Sequence, residues 1–170
     1  MEEEIQNKVE KSGLINIDLE DFYTQGERVL IDIKDYLFQE LILREKDFRQ
    51  AIADHDWSSY QGKLVAVHCS IDAIIPSWAY MLMAVNLQPH AKKVIFGDLD
   101  TLETFLFQQS LQSLDLTLYQ DERVIINGCG NVPIHDSAYV EISMLLKPIV
   151  KSIMFGEACS TVPLYKRPSS

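Results

Sequence analysis

The chain has 170 residues, of which 47% are hydrophobic, and a formal net charge of −10 at pH 7. This length and composition predict one globular domain with an ample core. The negative charge disfavours nucleic acid and anionic membranes as partners, because both bind basic surfaces. No apolar stretch approaches the roughly 18 residues of a membrane span, and the acidic start, Met1 to Ile5, does not resemble a signal peptide. We therefore expect a cytoplasmic protein.

The N-terminal part of the chain, over 1–60, predicts an extension made of short elements. Apolar residues alternate in two segments, which is typical of strands, and recur at intervals of four in two others, which is typical of helices. The extension is predicted to contain, in order, a helix over 2–11, strands over 14–19 and 28–33, an ambiguous segment over 37–43, a helix over 45–53 and a loop over 55–62.

Residues 61–170 show a regular alternation of short apolar runs and helical patterns. The pattern predicts strands over 64–67, 93–96, 123–126 and 152–155, helices over 76–87, 101–114 and 137–146, and a tail rich in Pro and Ser over 160–170. Strand–helix alternation with short connections indicates right-handed βαβ units. We therefore predict a single three-layer, Rossmann-like α/β domain over 1–170, with one mainly parallel sheet. The extension over 1–60 would add edge strands and a helix to the core over 61–170.

Each of the three cysteines follows a short apolar run and precedes a proline. If these runs are parallel strands, Cys69, Cys129 and Cys159 emerge at the carboxyl edge of the sheet, where open α/β sheets bind ligands. A faint internal echo supports this placement, because Tyr80 follows Cys69 and Tyr139 follows Cys129 at nearly the same distance. The sequence thus predicts that three thiols converge on one point.

Three converging thiols would be a metal or sulfur site. Zinc and iron–sulfur clusters take three or four soft ligands, and Cys69, Cys129 and Cys159 would supply three of them. Asp72, which follows Cys69 in a loop, is the preferred fourth ligand. Three further side chains could take that place: His68, His135 or Glu157. Zinc is the expected occupant of purified protein, and iron or an iron–sulfur cluster the expected physiological one.

Two other functions are compatible with the same residues. A thiolate enzyme, such as a persulfide or acyl transferase, would use Cys69 or Cys129 as nucleophile and Asp72 or His135 as base. Alternatively, the protein is an interaction module and a possible homodimer, with buried structural cysteines. No nucleotide cofactor is expected, because Pro133 stands where a dinucleotide fingerprint would need glycine and no P-loop is present.

The chain resembles, over nearly its whole length, the uncharacterised Bacteroidetes family catalogued as domain of unknown function 2480. The longest matching stretch is Ser152-Ile-Met-Phe-Gly-Glu157-Ala-Cys-Ser-Thr-Val-Pro163-Leu-Tyr165. Shorter matches are Ser12-Gly-Leu-Ile, Asp18-Leu-Glu-Asp-Phe22-Tyr23, Glu45-Lys-Asp-Phe48-Arg49, His55-Asp-Trp57, Cys69-Ser, Asp72-Ala-Ile-Ile-Pro76, Trp78-Ala-Tyr80, Phe96-Gly-Asp98 and Ser137-Ala-Tyr139.

The resemblance implies a bacterial protein whose family has no established activity. It also implies a link to SUF-type iron–sulfur assembly, through gene neighbourhoods, and hence iron–sulfur assembly proteins as expected partners. The leading hypothesis at this point is a metal-binding protein with a three-cysteine site, accessory to iron–sulfur cluster assembly. Whether the protein is an enzyme stays open.

Overall fold

A computed structural model describes residues 13–128, 130–157 and 160–168. The chain divides into two compact units, and each is described by itself. The first unit combines Met1–Thr24 with Thr104–Ser170, and the second unit is the continuous segment Gln25–Glu103. Among the described residues, no helix is both long enough and apolar enough to cross a membrane.

The secondary structure alternates between strands and helices. The strands are β1 (Leu14–Asp18), β2 (Arg28–Asp32), β3 (Leu64–His68), β4 (Lys93–Phe96), β5 (Arg123–Asn127), β6 (Ser152–Glu157) and β7 (Ser160–Lys166). The α-helices are α1 (Glu45–Asp54), α2 (Ser77–Leu87), α3 (Leu99–Leu111) and α4 (Asp136–Leu146). Short 3₁₀ helices span Leu19–Phe22, Ile33–Tyr36, Trp57–Tyr60 and Leu116–Tyr119.

The first unit contains a four-stranded sheet in the order β1-β5-β6-β7. β1, β5 and β6 are parallel, and β7 pairs with β6 in the antiparallel direction. Strand β5 is central and its last four residues are buried, which explains why it reads as a continuous apolar run rather than as an alternation. The core of this unit packs side chains of α4, such as Ile142 and Leu146, against Val124 and Ile126 of β5.

The second unit contains a three-stranded parallel sheet in the order β2-β3-β4. Its central strand β3 is buried from Leu64 to Val67. Met83 and Leu87 of α2 and Phe48 of α1 belong to the core that covers this strand. β4 has β3 as its one neighbour among the described strands.

The two units are built from the same sequence of elements. β3, α2 and β4 begin at Leu64, Ser77 and Lys93, and β5, α4 and β6 begin with the same spacing, at Arg123, Asp136 and Ser152. The separation along the sequence between Leu64 and Arg123 is the repeat offset of the chain. The register of the first strands agrees with it, since Leu14 faces Arg123 as Arg28 faces Leu64.

Identical residues recur at the repeat offset. Examples are Phe48 and Phe107, Val65 and Val124, Ala79 and Ala138, Tyr80 and Tyr139, Leu87 and Leu146, Phe96 and Phe155, and Gly97 and Gly156. Shared element order, shared register and these identities together show that the chain contains an internal structural repeat.

The predicted α/β class with mainly parallel strands is confirmed, and the edge strands expected from the extension are β1 and β2. Two details are wrong. The strands form two sheets rather than one, and the predicted tail over 160–170 contains strand β7. The predicted helix over 2–11 lies outside the described residues. The single domain over 1–170, divided at residue 60, stays a prediction.

A pair of glycines tests the backbone near the end of β6. Gly156 has a φ of +112°, and a Cβ there would lie 2.6 Å from the carbonyl oxygen of Ser160. Gly62 also has a positive φ, +72°, but a Cβ there would meet nothing within 4 Å. We expect Gly62→Ala to cost about 1 kcal/mol of unfolding free energy, the backbone term alone, and Gly156→Ala to cost clearly more, because a main-chain atom must also move. Urea unfolding measures both, and equal losses would contradict the close approach of Gly156 to the main chain of Ser160.

Candidate functional site

The carboxyl ends of β2 and β3 form a polar junction in the second unit. Asp32 ends β2 and lies beside His68, which ends β3. The Oδ1 atom of Asp32 accepts hydrogen bonds from the backbone N–H groups of Lys34 and Ser70, both at 3.1 Å. These bonds hold the 3₁₀ helix after β2 and the loop after β3 to one carboxylate.

The same hydrogen bonds keep Asp32 ionised. Burial of the side chain, which is 13% exposed, raises the pKa of this carboxyl, but hydrogen bonds from Ser70 and Lys34 outweigh burial and lower the pKa to about 2. Asp18, the counterpart of Asp32 in the first unit, likewise accepts the backbone N–H of Glu20, at 3.0 Å. The carboxylate at this position is therefore explained by its part in holding the local chain.

Two equivalent strand-end residues have a buried polar atom without a hydrogen-bond partner in the described part of the chain. These atoms are Nε2 of His68 in the second unit and Oδ1 of Asn127 in the first. The Nε2 atom of His68 lies 3.8 Å from Oδ2 of Asp32, too far for a hydrogen bond but close enough for an ion pair when the ring is protonated. Buried polar atoms of this kind are normally satisfied by water or a ligand.

The structure describes two of the four predicted metal ligands. Cys69 is half-buried, and its Sγ donates to the carbonyl oxygen of Ile71 at 3.5 Å. Asp72 is exposed. Cys129 and Cys159 lie outside the described residues. The internal repeat also corrects the expected equivalence of the cysteines, because the repeat offset aligns Cys69 with Gly128, and Cys129 with Ser70.

The predicted metal-binding function is wrong. No group of three or more His, Cys, Asp or Glu side chains within residues 13–128, 130–157 and 160–168 could hold a metal ion. The physical reason lies in the turn after β3. The thiol of Cys69 contacts the carbonyl of Ile71, while Asp72, the predicted fourth ligand, extends into solvent.

Two other residues weighed for chemistry have positions that the local chain explains. Nδ1 of His135 lies 2.8 Å from Oγ of Ser137 and accepts the backbone N–H of Ser137 at 3.3 Å, so this ring caps helix α4. Glu157 is exposed at the end of β6. The thiolate enzyme stays a prediction, as does the partnership with iron–sulfur assembly proteins.

Sequence reasoning misses an open apolar groove beside β4 in the second unit. Its cavity has a volume of about 250 Å³. Phe96 at its rim is 69% exposed, although its ring contacts that of Tyr80 edge-on, with centroids 5.0 Å apart. The signal is present in α2, whose apolar residues continue around the helix instead of leaving a polar outer face. The cavity is lined by Val67, Tyr80, Met81, Ala84, Val94, Ile95 and Phe96.

The first unit has a counterpart of this groove, and one of its lining residues comes from an added strand. A cavity of about 430 Å³ lies at the equivalent place and is lined by Ile126, Asp136, Tyr139, Ser143, Phe155 and Leu164. Tyr139, Ser143 and Phe155 correspond to Tyr80, Ala84 and Phe96 at the repeat offset. Leu164 comes from the added strand β7, which pairs with β6. Within the described residues, one of the two equivalent edges thus carries an added strand and the other does not.

Comparison with known proteins identifies the family. The model of a family described as "Protein of unknown function (DUF2480)" matches residues 3–167. The chain belongs to this family. Neither a curated protein nor a solved structure matches the chain.

The charge of Asp32 predicts a pH dependence of stability. The pKa of this carboxyl falls from 3.8 to about 2 in the folded chain, so its contribution is complete above pH 4 and is lost as the pH falls through 2. After discounting for solvent screening, we expect Asp32→Asn to cost about 1–2 kcal/mol at pH 7. The difference from wild type should shrink between pH 4 and pH 2 in urea unfolding curves. A difference that is constant with pH would contradict the conclusion that the hydrogen bonds from Ser70 and Lys34 hold Asp32 in its ionised form.

Proposed function

We propose that this protein is a protein-binding module, and that β4 takes up an extended segment of another polypeptide as an added strand. Strand addition supplies main-chain hydrogen bonds for affinity, and pockets beside the edge select the side chains. The observation that supports this proposal is the pairing of β7 with β6, at the edge equivalent to β4.

Alternate residues of β4 direct their main-chain N–H and C=O groups away from β3, as the addition of a further strand requires. The N–H groups of Lys93 and Gly97 donate to Lys63 and Val67, on the β3 side. Since successive residues of a strand turn their main-chain groups to opposite sides, Val94 and Phe96 direct theirs away from β3. Their counterparts in β6, Ile153 and Phe155, face Tyr165 and Val162 of β7.

The groove beside β4 suits a side chain better than a free small molecule. Its volume of about 250 Å³ lies below the roughly 300–1,000 Å³ of ordinary ligand pockets. In the first unit, the same position is lined by one leucine side chain, that of Leu164. An extended segment with an apolar residue at the matching place would cover Tyr80 and Phe96 and pair with β4 at the same time.

A cytoplasmic location is part of this proposal. It is supported by the odd number of cysteines, which suits a reducing compartment. Cell fractionation followed by immunodetection tests it, and recovery of the protein outside the cytoplasmic fraction would contradict it.

A peptide with the sequence of β7 is the natural probe of the β4 edge. We expect a peptide spanning residues 160–168 to bind dilute protein and to shift the amide resonances of Val94 and Phe96 in NMR spectra. The Val94→Pro variant should lose this binding, because proline removes an outward N–H donor while leaving the β3–β4 bonds in place.

Two controls make this experiment specific. Leu30→Pro removes an outward donor from β2, on the opposite edge of the same sheet, and should leave peptide binding unchanged. The N–H of Leu30 points outward because the carbonyl of Glu27 accepts from Leu64 of β3, which turns Glu27 and the alternate residues after it toward β3. A peptide with Leu164→Asp should bind at least tenfold more weakly. Equal binding to wild type and Val94→Pro would refute the assignment to β4.

A further inference from the structure

The exposed edge of β4 is self-complementary when two copies run antiparallel. A two-fold axis through Ile95, perpendicular to the sheet, places Val94 of one copy opposite Phe96 of the other, and the reverse. Both residues direct their main-chain groups outward, as the bonds of Lys93 and Gly97 to β3 require. Opposed outward residues of antiparallel strands exchange both N–H···O bonds. All outward amides and carbonyls of Val94 and Phe96 would thus be paired.

We infer that the segment bound by β4 is β4 of a second copy, so that two chains join their second-unit sheets into one continuous sheet. This inference rests on the proposed function and names its partner. Two-fold pairing of identical surfaces is the commonest form of association between identical subunits. Within the described residues, the chain's own added strand, β7, already pairs with β6.

Charges beyond the two ends of β4 complement each other in this register. The two-fold axis at Ile95 places Lys92 opposite Asp98 of the second copy. Both residues are exposed. In the single chain the ammonium of Lys92 donates to the carbonyl oxygen of Gln25 at 2.8 Å, and dimerisation would exchange this bond for one to Asp98. The carboxylate of Asp98 is held in place by Thr101, whose N–H and hydroxyl donate to Oδ1 at 2.8 and 2.6 Å. Opposite charges across an interface fix its register and disfavour other pairings.

Apolar side chains of α2 are exposed beside this edge, as are their counterparts Val140 and Met144 in the first unit, at 65% and 68%. Met81 lines the groove and is 65% exposed, and Val85 lies one turn later on α2 and is 69% exposed. Because the two-fold axis keeps both copies of α2 on the same face of the joined sheet, these side chains and their own copies would lie on that face. Large exposed apolar residues next to one another are typical of interaction sites.

Measurement of mass against concentration tests the inference. In sedimentation equilibrium, wild-type protein should shift from 19.5 kDa toward twice that mass as its concentration rises. Val94→Pro should stay monomeric at every concentration, whereas Leu30→Pro should behave as wild type. Circular dichroism and urea unfolding confirm that each variant is folded.

A charge exchange tests the register without proline. Lys92→Glu and Asp98→Lys each place like charges opposite one another in a self-pair, so each variant alone should dimerise at least tenfold more weakly. A mixture of the two variants should form a mixed dimer, because every facing pair is then attractive again. This rescue distinguishes a specific contact from loss of folding.

A disulfide at the symmetry axis gives an independent readout. Ile95 faces its own copy as a non-hydrogen-bonded pair, whose Cα atoms lie about 4.5 Å apart, within the range of a disulfide. Ile95→Cys should therefore form a covalent dimer on mild oxidation, while Leu30→Cys and wild-type protein, which carries the native cysteines, should not.

The outcomes separate this inference from the proposed function. Monomeric wild type at all concentrations, or a dimer that is unaffected by Val94→Pro and not cross-linked through Ile95→Cys, overturns the β4-to-β4 dimer. If the 160–168 peptide still binds β4 under those conditions, the protein-binding function stands and the partner is another polypeptide. If the peptide also fails to bind, both proposals are overturned.

Discussion

Each unit depends on a buried parallel strand that needs a hydrogen-bonding neighbour on both sides. β3 and β5 are these strands, and neither can leave its backbone groups unpaired away from water. The chain meets this need twice in the same way. One neighbour, β2 or β1, comes from the N-terminal segment, and the other, β4 or β6, follows through a helical crossover. The polar junction lies where β2 and β3 end, at Asp32 and His68. The edge of β4 is open because no described strand follows it in the sheet.

The sequence predicts the parts of the fold whose signals are local. Buried strands such as 64–67 and 123–126 are recognised by their apolar runs, and helices α2 and α4 by their length and the prolines nearby. Strand β7 escapes prediction because Pro163 and the small residues around it read as a tail. Proline is tolerated there since β7 is an edge strand. Its pairing with β6 is local in the chain, since Glu157 faces Ser160, but no regular alternation of apolar and polar residues marks β7 as a strand.

The predicted metal site at the carboxyl ends of the strands is wrong, and the binding site proposed from the structure lies along the lateral edge of β4. The cysteines look equivalent because each follows an apolar run, whereas the true repeat aligns Cys69 with Gly128. A displacement of one residue is enough to change the side of the strand on which a side chain lies. Asp32 carries no local signal, because its importance arises from the backbone N–H of Ser70, which is 38 positions away. The groove at Phe96 can be predicted only when it is known which strand lies at the edge of the sheet.

The order in which the two units occur along the chain affects how they form during synthesis. Gln25–Glu103 is continuous, so all contacts of the second unit become available as soon as that segment has left the ribosome. The first unit is interrupted, because β1 must wait for β5, which is made only after the whole second unit. Long loops of this kind raise the entropic cost of closure and slow folding. The second unit can therefore form first. The first unit is completed later, when β5 pairs with β1, a strand that was synthesised before the second unit.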